Sequence, residues 1–263
     1  MPSETIENDS HALVTIACLS DNYAFLLHNK VSGTTALIDV PEAAPIKAEL
    51  AARGWTLDQI WLTHHHPDHI DGLPALLSDY PARVFGASAD AHRLPDLDEA
   101  LAEGDTFDLG GLEVQVIDVS GHTVGHIAFY VPALPAAFTG DSLMALGCGR
   151  LFEGTPAQMH ASLSKMASWP DETLICSGHE YTTSNGRFAA SVDPENQTLQ
   201  DRNIQTDAAR AEGRFTVPSR MSLERATNPF LRSGDTNLRK TLDMQDAPDV
   251  DVFAELRSRK DHF

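Results

Sequence analysis

The segment Trp61-Leu-Thr-His-His-His-Pro-Asp-His69 sets four histidines and an aspartate within six positions, directly after an apolar run. Polar groups at the end of a buried strand are costly unless they find hydrogen bonds, counter-charges or an ion, so any fold of this chain must provide such a setting. Side chains of an extended chain alternate faces, which puts His64 and His66 on one side and His65 on the other. Pro67 then turns the chain, and Asp68 and His69 open a new element. Imidazole and carboxylate are good ligands for Zn²⁺, iron and Mn²⁺, so a metal site is the natural reading. The bland alternatives are a chance surface run and a single structural zinc, for which cysteine is the usual ligand.

Three further candidate ligands stand where predicted strands end. Val114–Val119 runs into Ser-Gly-His122, Ala136–Thr139 into Gly-Asp141, and Leu174–Cys176 into Ser-Gly-His179. If these strand ends share one edge, His64, His66, Asp68, His69, His122, Asp141 and His179 converge there, on loops held by a rigid sheet. Seven ligands exceed what one tetrahedral ion takes but suit two ions with a shared bridge, for which Asp141 is the preferred candidate. His65 and His126 are expected to be structural. Asp39, at the end of the strand Thr-Thr-Ala-Leu-Ile-Asp, is a candidate to orient the His64–His69 loop. Cys18, Cys148 and Cys176 form neither a CxxC pair nor a disulfide framework. No adjacent base marks Cys148 or Cys176 as a nucleophile.

The runs HALVTIA, YAFLLHN, TTALIDV, QIWLTH, ARVFGA, LEVQVIDV, HIAFYV, AAFTGD and TLICSGH predict strands. Helical stretches at Ala44–Arg53, Leu73–Asp79 and Ala157–Ser168 interrupt them, the last opened by Thr155-Pro156 as N-cap and first residue. After about Thr183 strand signals fade. PENQTLQDRNIQTDAARAEG predicts a long helix, with MSLERATN and DVFAELRSRK as shorter ones. The expected architecture is layered, sheets covered by helices in an α/β or α+β arrangement, with α+β preferred, split into residues 1–183 and a helical part, 184–263. Charge follows this split roughly: residues 1–201 hold 8 Lys+Arg against 28 Asp+Glu, and residues 202–263 hold 11 against 10. A formal net charge of −19 opposes any general role on nucleic acid or anionic membrane. There is no apolar run of membrane-spanning length, and the acidic start MPSETIENDS lacks the pattern of a secretory signal. A cytoplasmic location is expected.

Taken together and in order, THHHPDH, SGHTVGH, FTGD and SGHEYT resemble the metallo-β-lactamase superfamily and its four-layer αβ/βα sandwich. GCGRLFEGT after FTGD, Tyr181 in GHEYT, NPFLR and the terminal RSRKD narrow the resemblance to glyoxalase II, the hydroxyacylglutathione hydrolases. The resemblance implies one metal on His64, His66 and His122 and another on Asp68, His69 and His179, with Asp141 between them. It implies two divalent ions per chain, zinc in the first place with iron or manganese as alternatives. Asp68 and Asp141 become the catalytic carboxylates. Arg150, Phe152, Tyr181, Arg257 and Lys260 fall at substrate-contacting positions, the last two matching a basic pair for the glycine carboxylate of glutathione. Phe152 departs from the pattern, where a tyrosine is expected. The implied reaction is hydrolysis of S-D-lactoylglutathione to glutathione and D-lactate, the second step of methylglyoxal detoxification. The alternatives are an iron-dependent glutathione persulfide dioxygenase and another ester or lactone hydrolase of the same fold. A monomer is expected, with a dimer as the alternative.

Overall fold

Strands β1 (Ser3–Glu7), β2 (His11–Cys18) and β3 (Asn22–Asn29) form an antiparallel meander, with His11 opposite Asn29 and Cys18 opposite Asn22. The structure, a computed structural model, describes residues 3–263, so the first two residues of the acidic start lie outside the described part. β4 (Thr35–Ile38) pairs antiparallel with β3, and β5 (Gln59–Trp61), β6 (Arg83–Ala87) and β7 (Glu99–Leu101) continue the sheet in parallel. The parallel step from β4 to β5 needs a crossover. Helix α1 (Ala43–Arg53) supplies it, burying Ile46 and Leu50 and ending on Gly54 at φ 66°.

A second sheet runs antiparallel through β8 (Thr106–Leu109), β9 (Leu112–Asp118), β10 (Ile127–Val131) and β11 (Ala136–Gly140). The two sheets face each other through aromatic side chains. Trp61, fully buried, lies 5.2 Å from Phe107 and 5.4 Å from Phe129 between ring centroids, and Phe25 lies 5.7 Å from Phe138. Such tilted and edge-on pairs add to the burial of both sheet faces. These strands and their connections pack as one compact unit, the chain through Asp118 with Gly125–Gly140.

The second unit comprises Val119–Val124 and Asp141–Phe263. It holds the short strand pairs β12 (Leu143–Met144) with β13 (Gly147–Cys148) and β14 (Leu174–Ser177) with β15 (Ser219–Arg220). Its helices are α4 (Pro156–Met166), α5 (Thr182–Val192), α6 (Gln197–Ala211), α7 (Met221–Thr227), α8 (Thr236–Thr241) and α9 (Asp249–Asp261). Phe188, Phe230 and Phe253 form its aromatic core. A buried ion pair ties this core to the loop after β12. Arg202 donates to Glu224 at 2.5 Å, and the other Glu224 oxygen accepts from the Leu146 amide at 2.9 Å and the Asn228 side chain at 3.1 Å. Asn228 also donates to the carbonyls of Met144 and Gly147.

Most expected elements are present, with displaced ends. The QIWLTH run leaves the strand after Trp61, because Thr63 turns its amide to the Asp39 carboxylate. The long tail helix starts after Asn196, whose side chain caps Leu199, and not beside Pro194. β1, α5 and α8 carry no strong sequence signal. β1 is a polar edge strand, and α5 is rich in Thr, Ser, Asn and Gly, which are weak helix formers. No helix among the described residues is long and apolar enough to cross a membrane.

The start of α4 is as expected. Thr155 Oγ1 accepts from the Gln158 amide at 3.3 Å while Gln158 Oε1 accepts from the Thr155 amide at 2.9 Å, a reciprocal capping box. Thr155→Ala removes the first of these bonds. Urea denaturation is expected to show a loss of about 1 kcal/mol with an unchanged m-value.

Candidate metal centre

In the first unit the site grows from the ends of two parallel strands. Asp39 follows β4, is 3% exposed, and adopts φ 57°, a left-handed conformation that aspartate tolerates. Its Oδ1 accepts from the Thr63 amide and its Oδ2 from the Thr63 hydroxyl, both at 2.8 Å. Oδ2 also lies 2.8 Å from His69 Nδ1. A carboxylate only accepts, so His69 carries its proton on Nδ1 and presents the lone pair of Nε2. The Thr63 hydroxyl hydrogen is already engaged by Asp39. At 3.0 Å from His64 Nδ1 the Thr63 oxygen therefore accepts, and His64 takes the same tautomer.

The expected alternation holds. His66 Nδ1 lies 3.1 Å from His64 Nε2, whereas His65 turns to the buried carboxylate of Asp90 at 3.0 Å. Pro67 is the first residue of α2 (Pro67–Ile70), which carries Asp68 and His69, with Asp68 Oδ2 3.7 Å from His69 Nε2. The helix is pinned by the Val40 amide donating to the His69 carbonyl at 2.7 Å. His126 is fully buried and stacks on His64 at 4.6 Å, a packing role as expected. Gly140 sits at φ 47°, and a Cβ there would lie 2.6 Å from Thr63 Oγ1, so only glycine fits beside this network.

The second unit carries the other three candidates. Asp141 Oδ2 lies 3.5 Å from His122 Nε2 and 3.3 Å from His179 Nε2, so one carboxylate oxygen is flanked by two imidazoles. His122 Nδ1 lies 2.7 Å from the Arg150 carbonyl, which again sets the proton on Nδ1 and the lone pair on Nε2. The segment 147–154 wraps His122. Its Phe152 amide donates to the His122 carbonyl, and a Cβ on Gly149 would meet the Asp141 carbonyl at 1.9 Å. Imidazoles, three of them (His64, His69 and His122) with the distal nitrogen engaged, together with carboxylates and without thiolates, make a donor set that fits zinc, iron or manganese.

The five expected substrate residues all belong to the second unit. Tyr181 stacks on His179 at 4.7 Å, and Phe152, 62% exposed, meets the edge of His122 at 5.3 Å. Arg150 is largely exposed, with Nε 3.5 Å from Asp261 Oδ1. Arg257 is buried: it donates to the Cys148 carbonyl at 3.0 Å and to Asp261 at 2.8 Å, with its guanidinium over the Phe230 ring. Lys260 donates to the Ser184 carbonyl at 3.3 Å. Burial, then the neighbouring charges of Arg257 and Arg150, hold the Lys260 ammonium below its ordinary range. Arg150, Arg257 and Lys260 thus form a cationic cluster in a strongly acidic chain.

Cys148 and Cys176 are buried, and burial pushes both thiols up, Cys148 to about 11. Neither supplies a thiolate near neutral pH. Asn22, unmarked in the sequence, also touches the site: its side-chain amide donates to Asp68 Oδ2 and to the Asp68 carbonyl, each at 3.0 Å. A lone Asn after a turn reads as turn chemistry, and nothing in the sequence points across the separation of 46 positions.

A family model described as the metallo-beta-lactamase superfamily matches residues 22–179, and one described as the hydroxyacylglutathione hydrolase C-terminus matches residues 180–263. A hydroxyacylglutathione hydrolase of Ruegeria pomeroyi is 66% identical over 95% of this chain and 98% of its own length. That of a Jannaschia species is 62% identical over the same shares. Among solved structures, ETHE1 from Myxococcus xanthus covers 99% of this chain and 98% of its own at a TM-score of 0.61 and 23% identity, a likeness of fold alone.

Proposed function

The chain belongs to the hydroxyacylglutathione hydrolase family of the metallo-β-lactamase superfamily, and from that membership we propose how its residues hydrolyse a glutathione thioester. The reaction releases glutathione and a 2-hydroxy acid. The observation that carries this reading is the identity to such hydrolases along nearly the whole chain, helical tail included. The specific substrate in this reading is S-D-lactoylglutathione, giving D-lactate in the second step of methylglyoxal detoxification, in the cytoplasm and as a monomer. The 1–183 part supplies the chemistry, and Arg257 and Lys260 of the 184–263 part join Arg150, Phe152 and Tyr181 in gripping glutathione.

Two divalent ions, zinc in the first place, would in this reading be held by His64, His66 and His122 and by Asp68, His69 and His179, with Asp141 between the two sets. When bound, such a pair supplies a water of lowered pKa and a Lewis acid for the developing oxyanion. Asp39, Thr63 and the Arg150 carbonyl fix which nitrogen each ligating imidazole presents. Asp68 hydrogen-bonds and orients the attacking water. The leaving group is a thiol of pKa ~8.5, which departs as thiolate without a protein acid. Arg150, Lys260 and Arg257 hold the anionic glutathione part, far from the bond that breaks, while Tyr181 and Phe152 flank it. The buried, protonated cysteines favour water over a thiol as nucleophile.

Purified protein is expected to contain close to two metal ions per chain and to hydrolyse S-D-lactoylglutathione, followed as loss of the thioester. Chelation is expected to stop turnover, and Asp141→Ala to abolish it in replete metal. Activity that survives full metal removal contradicts the reading.

The cationic cluster holds a part of the substrate that does not react, so Arg257→Ala with Lys260→Ala should raise KM more than it lowers kcat. The lowered Lys260 pKa gives this a pH dependence. The ammonium is present at neutral pH and is lost as pH rises through a value below the ordinary 10.5. KM for the thioester is therefore expected to climb on the alkaline side in the native protein and to stay flatter in Lys260→Arg. A KM insensitive to both substitutions counts against the tail as the glutathione grip.

A further inference from the structure

Asp68 differs from the other candidate ligands in its setting: its side chain is 41% exposed, whereas that of His69 beside it is fully buried. A carboxylate with that much open space samples several rotamers unless something holds it. Asn22 is placed to do so. It is 4% exposed and opens β3 opposite Cys18, at the close of a tight hairpin in which Leu19 adopts φ 49° and donates its amide to Glu42 Oε1. From this rigid base the Asn22 side-chain nitrogen donates to the Asp68 carbonyl and to Asp68 Oδ2, both at 3.0 Å. One amide thus spans main chain and carboxylate of the same residue, which fixes both torsions of Asp68. The bond to a charged oxygen is of the stronger class.

We propose that Asn22 is a positioning residue for the Asp68 carboxylate and thereby sets the affinity of one ion of the pair, the one that Asp68 shares with His69 and His179. The inference rests on the two-ion reading above. The two bonds from Asn22 both go to Asp68, whereas His64 takes its orientation from Thr63, so the effect is expected to be confined to one ion. Partners of ligating side chains typically govern about 10–100-fold in metal affinity. An asparagine suits the task because its amide donates without adding charge next to a carboxylate, and because it is too short to become a rival ligand from this strand.

The test counts metal in purified full-length protein dialysed against graded chelator, for the native chain, Asn22→Ala, Asn22→Asp and Asp68→Ala. In Asn22→Ala one ion is expected to leave at a chelator concentration about 10–100-fold lower than in the native protein, with the other ion held as before. Asn22→Asp keeps the shape and loses the donor, and is expected to show the same selective loss, which covers the case of an alanine variant that does not fold. Two ions held with native affinity in either variant overturn the proposal. So does loss of both ions together, which marks a general effect on folding. If the native protein holds a single ion, the two-ion reading itself fails, and if Asp68→Ala still holds two, the assignment of Asp68 as a ligand fails; both outcomes are distinct from loss of one ion in Asp68→Ala with an unaffected Asn22→Ala.

Discussion

The structure of the site depends on one constraint: each imidazole must present a chosen nitrogen. Left in water a neutral imidazole exchanges its proton between the two nitrogens, and a candidate ligand is lost whenever one of them takes the wrong tautomer. Asp39 prevents this by accepting from His69 directly and from Thr63, whose oxygen then accepts from His64. In the second unit a backbone carbonyl, that of Arg150, does the same for His122. These acceptors are buried or backbone groups, so they hold their orientation without the entropy cost of ordering a surface side chain. Much of the surrounding fold serves this end: β4 and β5 run parallel so that Asp39 and Thr63 emerge side by side, and Gly140 leaves room beside them.

The candidate ligands stand out in the sequence, because period-two alternation and strand ends followed by Gly-His or Gly-Asp are local signals. His64 and His66 do share a side while His65 turns to Asp90, as alternation requires. The residues that orient the ligands are much harder to read. Asp39 is legible only as a strand-end acid, and Asn22 and Asp90 look like ordinary turn and surface residues until folding brings them 46 and 25 positions along the chain to their partners. Element ends depart from the local pattern for a similar reason. β5 stops early because Thr63 is drawn to Asp39, a tertiary contact that overrides the apolar run around it.

The tail illustrates the same division. Its helices α6, α7 and α9 follow from pattern and capping, but its attachment to the loop 144–148 runs through buried polar groups. Glu224, paired with Arg202, holds the amide of Leu146, Asn228 holds the carbonyls of Met144 and Gly147, and Arg257 holds the carbonyl of Cys148. A charge left alone in such a network by loss of its partner costs about 3–5 kcal/mol, so these residues constrain the loop that bears Arg150 more tightly than apolar packing alone. A chain with a formal charge of −19 repels anions at long range. Recognition of an anionic thioester in the proposed function therefore falls to a local cluster, Arg150, Arg257 and Lys260.

The most direct test of the tautomer constraint is long-range ¹H–¹⁵N correlation NMR of the histidine rings in zinc-loaded protein, a diamagnetic sample. Protons are expected on Nδ1 of His64, His69 and His122, and on Nε2 of His66, whose Nδ1 faces His64. A proton found on Nε2 of His64, His69 or His122 would contradict the account, since the nitrogen assigned to the ion would then be occupied.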